Sequence, residues 1–341
     1  MRPSGIPPEA IGEDNFSLRV GCFAVFVLFF LLFLEIISPS PAFSRQNKVI
    51  IIRNDSVSLE QDLTVGRFGV GKLYFDDPVD LCIDDDNNVY ILDSGNYRVQ
   101  EMDEDGDFVR KWGKKGEGDG QFRDPVAIAL DADNEFIYVL DRENFSVSKF
   151  DLKGNFILSF GKKGIRTGEF RDPVDLAVDF QGYVYVLDRN RGAVLKFHKG
   201  GTFVDEWGDM GRRKGEFADP VSIAFSADRL GFINVLDRRK KALLRFNRRG
   251  EYKETISLLP VFPEGGDPVR VRADRRDNLF ILDGSRGKLV RLERLKYSIF
   301  SLVSDKMDMF KPGGFAIDDD DRIYVTDFTK DRVMRFILEP R

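Results

Sequence analysis

Histidine and cysteine are scarce in this chain of 341 residues. It has one histidine, His198, and two cysteines, of which only Cys82 follows residue 44. A single cysteine excludes an internal disulfide in that part of the chain, and one histidine excludes a zinc site built from several imidazoles. A Ser-His-Asp arrangement would have to use His198, and no nucleophile-elbow motif precedes it. We therefore expect a binding protein rather than an enzyme, with no catalytic residues and no metal site.

Helical spacing is also missing after residue 64, where a pattern of short strands repeats instead. A proline that opens an alternating run recurs six times, and an aspartate that ends the next apolar run keeps the same register. Each repeat contains four runs of about five residues with period-2 alternation, separated by turn residues. The pattern predicts an all-β, six-bladed β-propeller of four-stranded antiparallel blades. Its markers are Pro78, Pro125, Pro173, Pro220, Pro268 and Pro312, and Asp93, Asp141, Asp188, Asp237, Asp283 and Asp327.

The register of the repeats also predicts how the ring closes. The sixth repeat ends after its third strand, whereas the first repeat is preceded by a surplus strand, because Gly66 stands before Pro78 at the same offset as Gly113 before Pro125. Residues 45–65 are therefore expected to supply the closing strand of the last blade, which removes an exposed edge. A β-prone stretch at 48–53 is a candidate for one more edge strand. The predicted blades span about 66–113, 114–161, 162–208, 209–258, 259–304 and 305–341.

The repeat resembles that of the NHL-repeat propellers. Their unit has a glycine-rich loop, a proline, a strand ending in Asp, an aromatic-rich strand ending in Asp, and then Asn and a basic residue. The first repeat matches with Pro78, Asp84, Val89–Asp93, Asn96 and Arg98. The resemblance covers roughly residues 64–341 and implies the fold. It leaves the function open, because this scaffold carries lyases, ligand sensors and RNA-binding modules.

Residues 1–44 precede the propeller and contain a long apolar run. Val20 to Leu34 is uninterrupted and follows Arg19, and Ala42 to Ser44 places small residues where a signal peptidase cuts. This pattern predicts a signal peptide cleaved before Arg45. An uncleaved membrane anchor is the alternative, because the run approaches the length of a short span. We expect the protein to be periplasmic, extracellular or anchored to the membrane.

The net charge is -5, which does not favour a nucleic-acid partner. Residues 209–296 nevertheless contain 15 Arg and 6 Lys against 13 acidic residues, so blades four and five form a basic sector. RNA binding through this sector is one alternative function. Solvated outer strands are the simpler explanation of the same charges.

One face of the propeller is expected to carry the binding surface. In an up-and-down meander, the loops from strand four to strand one share a face with the turns from strand two to strand three, and we call this the long-loop face. Loops positioned by a rigid scaffold commonly bind partners. Recurring cations make this face a candidate surface for a protein or a small anionic ligand, with flexible solvated loop tips as the alternative: Lys114, Lys162, Arg189, Arg212 and Arg238.

The channel mouth provides a second candidate site. The residues two and four positions after each proline share one strand face and are mostly small, but blade five has Arg270 and Arg272 there. Asp80 and Asp175 occupy the first of these positions in blades one and three. Buried guanidinium groups need partners, so these four residues predict either an anion-binding site or a structural ion-pair network.

The recurrent aspartates and the first acidic turn have structural explanations. One aspartate per blade is expected to cap the turn between strands two and three. Asp84, Asp86 and Asn88 alternate like calcium ligands, yet no glutamate follows at the expected offset, so we favour turn chemistry and no cofactor. The expected function is a ligand- or protein-binding scaffold of the cell envelope. The remaining alternative is a metal-dependent hydrolase or lyase with a site on the channel axis.

Overall fold

Among the residues that the computed structural model describes, runs of β-branched and aromatic residues form 25 strands. The structure describes residues 50–52, 57–131, 133, 135–226, 231–262, 265–293, 296–302 and 311–340. The chain divides into two units, Met1–Lys48 and Val49–Arg341, and every described residue belongs to the second. The predicted signal or anchor at 1–44 lies outside the described residues. Within the described ranges, no helix has the length and apolar character needed to cross a membrane.

The strands form six sheets, each a meander whose first strand lies innermost. Blade one has β3 (Pro78–Ile83), β4 (Val89–Asp93), β5 (Arg98–Met102) and β6 (Phe108–Trp112). Blade two has β7 (Pro125–Asp131), β8 (Phe136–Asp141), β9 (Ser146–Asp151) and β10 (Phe156–Phe160). Blade three has β11 (Pro173–Val178), β12 (Val184–Asp188), β13 (Ala193–Phe197) and β14 (Phe203–Trp207). Blade four has β15 (Pro220–Ser226), β16 (Phe232–Asp237), β17 (Ala242–Asn247) and β18 (Tyr252–Ser257).

The last two blades also take strands from the N-terminal side. Blade five has β19 (Pro268–Ala273), β20 (Leu279–Asp283), β21 (Lys288–Glu293) and β22 (Lys296–Ser301), with β1 (Ile50–Ile52) parallel to β22. Blade six has β23 (Pro312–Ile317), β24 (Ile323–Asp327) and β25 (Arg332–Pro340), and β2 (Val57–Val65) is its fourth strand. The inner strands contact one another in order, and β23 returns to β3. The fold is an all-β, six-bladed propeller.

The closing sheet joins the two ends of the ring. β2 runs antiparallel to β25 from the pair Val57 and Pro340 to the pair Val65 and Val333, with a register shift between Gln61 and Leu63. The carboxylate of Asp62 forms an ion pair with the guanidinium of Arg335 at 2.6 Å. The unit Val49–Arg341 contains every strand of the six sheets and their cores, so we expect it to fold without residues 1–48.

A bulge at the start of each inner strand decides which side chains face the channel. The register shifts after the opening proline in all six blades, so Asp80 pairs with Leu92 and Asp175 pairs with Leu187. Proline is tolerated at such positions because it donates no ladder hydrogen bond. The recurrent aspartates at the ends of the second strands hold the residues just before the inner strands by hydrogen bonds. The carboxylate of Asp188 accepts hydrogen bonds from the amides of Arg171 (2.6 Å) and Asp172 (3.1 Å), and also from Arg191 in the next turn (3.0 Å).

Aromatic residues pack neighbouring blades together. The ring of Trp112 lies 6.1 Å from Tyr90 of its own blade and 6.0 Å from Phe150 of the next. Trp207 has the same position between blades three and four, against Tyr185 at 5.9 Å and Phe246 at 6.4 Å. Rings of this size bury much apolar area and therefore account for much of the cohesion between blades.

The third strands carry cations that lie over aromatic rings of the second strands. Lys149 lies 3.5 Å from the ring centroid of Phe136, and Arg245 lies 4.0 Å from that of Phe232. Blade one breaks this pattern, because the buried Glu101 pairs with Tyr90 across the strands. Burial raises the pKa of Glu101 to about 7, against the opposing effect of Arg110 at 2.9 Å.

Candidate functional site in the central channel

The four residues predicted at the channel mouth come together in one ion-pair network. The carboxylates of Asp80 and Asp175 are fully buried, and the guanidinium of Arg272 binds both. Its Nη2 lies 2.7 Å from Oδ2 of Asp80, and its Nη1 lies 3.2 Å from Oδ2 of Asp175. Arg270 adds a contact of 3.4 Å between its Nη1 and Oδ1 of Asp175. Two cations therefore face two anions, and the cluster has no formal net charge.

Neighbouring groups complete the hydrogen bonding of this network. The hydroxyl of Ser222 donates to Oδ2 of Asp175 at 2.6 Å, and the amide of Ile223 donates to the same oxygen at 2.9 Å. The amide of Ile128 donates to Oδ2 of Asp80 at 3.2 Å. The carboxylates therefore have partners without any added anion, which is the arrangement expected of a structural network.

The two carboxylates differ in pKa although they share Arg272. Burial raises the pKa of Asp80, and the positive charges of Arg272 and Arg270 only partly oppose it. Burial acts on Asp175 in the same direction, but Arg272, Arg270 and the Ser222 hydroxyl outweigh it and lower its pKa. Asp175 has two contacts that Asp80 lacks, the direct one with Arg270 and the hydrogen bond from the Ser222 hydroxyl. Asp80 is the carboxylate that depends most on Arg272.

Blade six makes room for the network with glycine. A Cβ at Gly314 would lie 2.4 Å from Oδ1 of Asp80 and 2.6 Å from its Cα, so no larger side chain fits there. Gly314 occupies the same position after its proline as Asp80, Asp175 and Arg270 do after theirs. The small residue allows blade six to approach blade one closely where the ring closes.

A cavity of about 270 Å³ lies in the channel beside this network. Its lining includes small residues four positions after the prolines, such as Cys82, Ala177 and Ala224, and a ring of larger apolar residues one position further along. Arg272 is the member of the network that lines it, whereas Asp80, Asp175 and Arg270 do not. The network therefore closes the inner end of the cavity rather than lining an open mouth.

The cavity opens toward the face opposite the long loops. Its rim includes Asp274, Arg275 and Asp277, which belong to the turn between the first two strands of blade five. Arg275 reaches from there to Asp85 of blade one, and to Asp319 of blade six at 2.6 Å. About half of the Arg275 side chain is exposed, so solvent screens these ion pairs and they can exchange for other contacts. We call this side the short-turn face.

The cations predicted on the long-loop face fall into two groups. Lys114, Lys162 and Arg212 are exposed, and Lys162 also forms an ion pair with Glu169 at 3.3 Å. Arg189 and Arg238 both bind the carboxylate of Asp219, at 2.8 and 2.9 Å, and are therefore partly engaged in contacts within the protein. The sequence showed that these arginines recur but not that two of them share one acid, because Asp219 belongs to a different repeat from Arg189.

Other titratable groups offer little acid or base chemistry to the cavity. Burial raises the pKa of the Cys82 thiol well above its usual value, so the thiol stays protonated. The carboxylate of Asp274 accepts hydrogen bonds from the amides of Arg276 (2.9 Å) and Asn278 (2.8 Å), which hold its turn. His198 is exposed at the end of β13, where its ring meets the edge of Tyr183 at 5.8 Å.

Carboxylates that resemble metal ligands occur outside the cavity. Asp84 accepts hydrogen bonds from the amides of Asp86 and Asn88 and from the hydroxyl of Tyr90, so its oxygens serve the turn. On the long-loop face, carboxylate oxygens of Asp76, Asp77 and Asp331 lie within 4.8 Å of one another. The carboxylate of Asp331 also accepts a hydrogen bond from the amide of Asp77 through Oδ1.

The ring of six sheets around an axial cavity, five of them four-stranded and one extended to five strands by β1, defines the class as β-propeller. A family model described as a 6-bladed beta-propeller matches residues 75–164 and 169–289, and the chain belongs to that family. The narrower resemblance to NHL-repeat propellers stays a prediction. A comparison with curated proteins finds no significant match.

Solved structures share the architecture at low identity. Virginiamycin B lyase from Staphylococcus aureus is 11% identical with a TM-score of 0.56, over 84% of this chain and 89% of that one. A streptogramin B lyase is 11% identical with a TM-score of 0.58, over 83% and 98%. A gluconolactonase from Xanthomonas campestris is 16% identical with a TM-score of 0.55, over 78% and 88%. Such identities show the fold alone.

Proposed function

We propose that this chain is a ligand- or protein-binding propeller of the cell envelope, and that its channel cavity holds a small molecule. The observation that carries the proposal is the cavity of about 270 Å³, lined mainly by apolar side chains and closed at one end by Arg272. Small-molecule sites typically combine an apolar lining with a few convergent polar groups. Export or anchoring through residues 1–44 is part of the proposal and is supported by the apolar run Val20 to Leu34.

The charges around the cavity favour an apolar ligand that is neutral or cationic. The anionic ligand expected from the sequence required Arg270 and Arg272 to lack partners, whereas both bind buried acids. The rim adds the carboxylates of Asp274 and Asp277 to the one guanidinium of Arg275. An anion would therefore meet more negative than positive charge on entry.

Binding is favoured over catalysis by the groups that line the cavity. A catalytically inactive form of virginiamycin B lyase, solved with quinupristin, has a histidine replaced by alanine. The only histidine of this chain, His198, is exposed and does not line the cavity. The described lining residues include no histidine or glutamate, and Cys82 is held as a protonated thiol. No general acid and base face each other there.

A fluorescent probe tests the cavity directly. N-phenylnaphthylamine is neutral and brightens in apolar surroundings, so we expect saturable binding at one equivalent of probe per chain. Ala177→Phe fills the cavity and should abolish this signal, whereas Ala218→Phe, in a long loop away from the cavity, should retain it. The sulfonated analogue anilinonaphthalene sulfonate should bind more weakly. An equal signal from Ala177→Phe, or none from the wild type, would refute the proposed site.

The envelope location has its own test. Cell fractionation followed by N-terminal sequencing should find the protein outside the cytoplasm, either beginning at Arg45 or retained in the membrane with residues 1–44 intact. Recovery of the uncleaved chain in the soluble cytoplasmic fraction would contradict this part of the proposal.

A further inference from the structure

The two faces of the propeller carry opposite charge. Among the described residues, the loops and turns of the long-loop face hold 22 Lys or Arg and 13 Asp or Glu. The described turns of the short-turn face hold seven Lys or Arg and 17 Asp or Glu. The formal charges are therefore +9 and -10, although the whole chain is only slightly acidic. Separation on this scale gives the molecule a strong electrostatic polarity along the channel axis.

Exposed apolar residues are concentrated on the basic face. Five of the large exposed apolar side chains belong to long loops: Phe68 (69% exposed), Val70 (74%), Ile165 (74%), Met210 (47%) and Leu259 (59%). They come from four different blades. Side chains of this kind normally mark a contact surface when they accumulate on one side of a protein.

Four of the long loops share one geometry, which places their equivalent residues at one level on this face. Isolated bridges pair Phe68, Lys115, Lys163 and Met210 each with a buried phenylalanine seven positions later. The residues two positions after Phe68, Lys115, Lys163 and Met210 are Val70, Glu117, Ile165 and Arg212, respectively. Apart from Glu117, these two positions hold only apolar or cationic residues. The long-loop face therefore presents apolar and cationic side chains side by side at a common level.

We propose that the long-loop face docks on the surface of an anionic lipid bilayer. A bilayer is flat and fluid, so it accepts separate apolar side chains from four blades, while the Lys and Arg beside them meet lipid phosphates. A folded protein partner would need one continuous complementary patch instead. The acidic short-turn face is repelled by the same surface, so the channel cavity opens away from the membrane. This inference stands apart from the proposed ligand in the cavity.

Vesicle sedimentation tests the docking with residues 49–341, the unit that contains the whole ring. Removing residues 1–48 ensures that the predicted anchor does not contribute. We expect sedimentation with phosphatidylcholine vesicles that contain phosphatidylglycerol, little with phosphatidylcholine alone, and loss of binding at high salt. Lys163→Glu/Arg212→Glu should weaken binding by at least about tenfold, because each cation near the surface contributes substantially. Phe68→Ser/Ile165→Ser should also weaken it by about tenfold.

Matched variants separate this face from general charge and hydrophobicity. Lys153→Glu/Arg249→Glu changes the net charge equally on the short-turn face, and Ile157→Ser/Val204→Ser removes exposed apolar groups from outer strands. Both should sediment like the wild type. Failure of the wild type to bind, or equal loss in the control variants, would overturn the proposal.

Two further outcomes would reassign the face to another partner. Salt-dependent RNA binding lost in Lys163→Glu/Arg212→Glu, without vesicle binding, would assign the face to nucleic acid. Head-to-tail self-association lost in the same variant would assign it to the acidic face of a second copy. Either result, found without sedimentation, would refute membrane docking.

Discussion

Replacing Arg272 with methionine tests the network that closes the channel. Methionine keeps the length of the side chain but removes the charge that binds Asp80 at 2.7 Å and Asp175 at 3.2 Å. Breaking a buried ion pair by removing one partner costs about 3 to 5 kcal/mol, because the remaining charge is left in a medium of low polarity. We expect Arg272→Met to lower the free energy of unfolding by that amount at neutral pH.

The structure also predicts which carboxylate causes the loss. Asp175 would keep Arg270, Ser222 and two backbone amides, whereas Asp80 would keep only the amide of Ile128 as a close donor among the described residues. Adding Asp80→Asn to Arg272→Met should therefore recover most of the stability, to within about 1 kcal/mol of the wild type. Asp80→Asn alone supplies the remaining corner of the double-mutant cycle.

The pH dependence gives a second readout of the same variant. Without Arg272, burial would raise the pKa of Asp80 further above its unfolded value of 3.8. An acid whose folded pKa is raised loses stability as the pH rises through that pKa, so the deficit of Arg272→Met should be largest at neutral pH and shrink toward about pH 4. Urea titration, monitored by the fluorescence of Trp112 and Trp207, measures this loss of unfolding free energy at each pH. A deficit below about 1 kcal/mol, or no recovery with Asp80→Asn, would refute the reasoning.

Three other changes test separate parts of the fold. Deleting residues 50–65 removes β1 and β2 and exposes the edges of β22 and β25, so the melting temperature followed by circular dichroism should fall by many degrees or folding should fail. Glu101→Gln should raise the free energy of unfolding by about 1 to 2 kcal/mol near pH 8 and change it little near pH 5. The ionised Glu101 is the form that burial disfavours, with a pKa of about 7, so its cost appears as the pH rises. Gly154→Ala should lower the melting temperature, because φ is +81° and the new Cβ would lie 2.5 Å from Cδ2 of Trp112.

Each of these changes has a matched control. Deleting residues 1–44 should leave the melting temperature unchanged, because all six sheets remain. Glu60→Gln changes an exposed carboxyl and should show no pH-dependent gain. Gly200→Ala, where the nearest atom to the new Cβ lies at 3.4 Å, should melt like the wild type. A control that behaves like its test variant would contradict the corresponding explanation.

The repeat register made the blades predictable because it depends on local features. The proline that opens each inner strand and the aspartate that ends each second strand recur along the chain, and the structure shows them paired, as in Pro173 with Asp188. The network could be anticipated only as a set of residues that face the channel. Its actual pairing joins Arg272 of blade five to Asp80 of blade one, 192 residues away, and depends on how ring closure brings these two blades to either side of blade six.

The separation of charge between the faces could not be seen in the sequence for a related reason. Turns of the two faces alternate along the chain, so any long window averages the acidic turn at 318–322 with basic turns such as 238–241. What remains visible is the excess of cations in blades four and five and the recurrence of cations in the long loops. The cavity was missed because its walls are alanines and aliphatic residues, which look like ordinary core in a sequence.

The pairing of β2 with β25 also sets the order in which the ring can form. Leu63 is paired with Arg335, so β2 is synthesised more than two hundred residues before its partner strand. Contacts this distant in sequence form slowly, because the loop-closure entropy must be overcome first. Until β25 is synthesised, the nascent chain can contain finished blades but no closed propeller, and an interrupted chain leaves two sheet edges open to pairing with its neighbours.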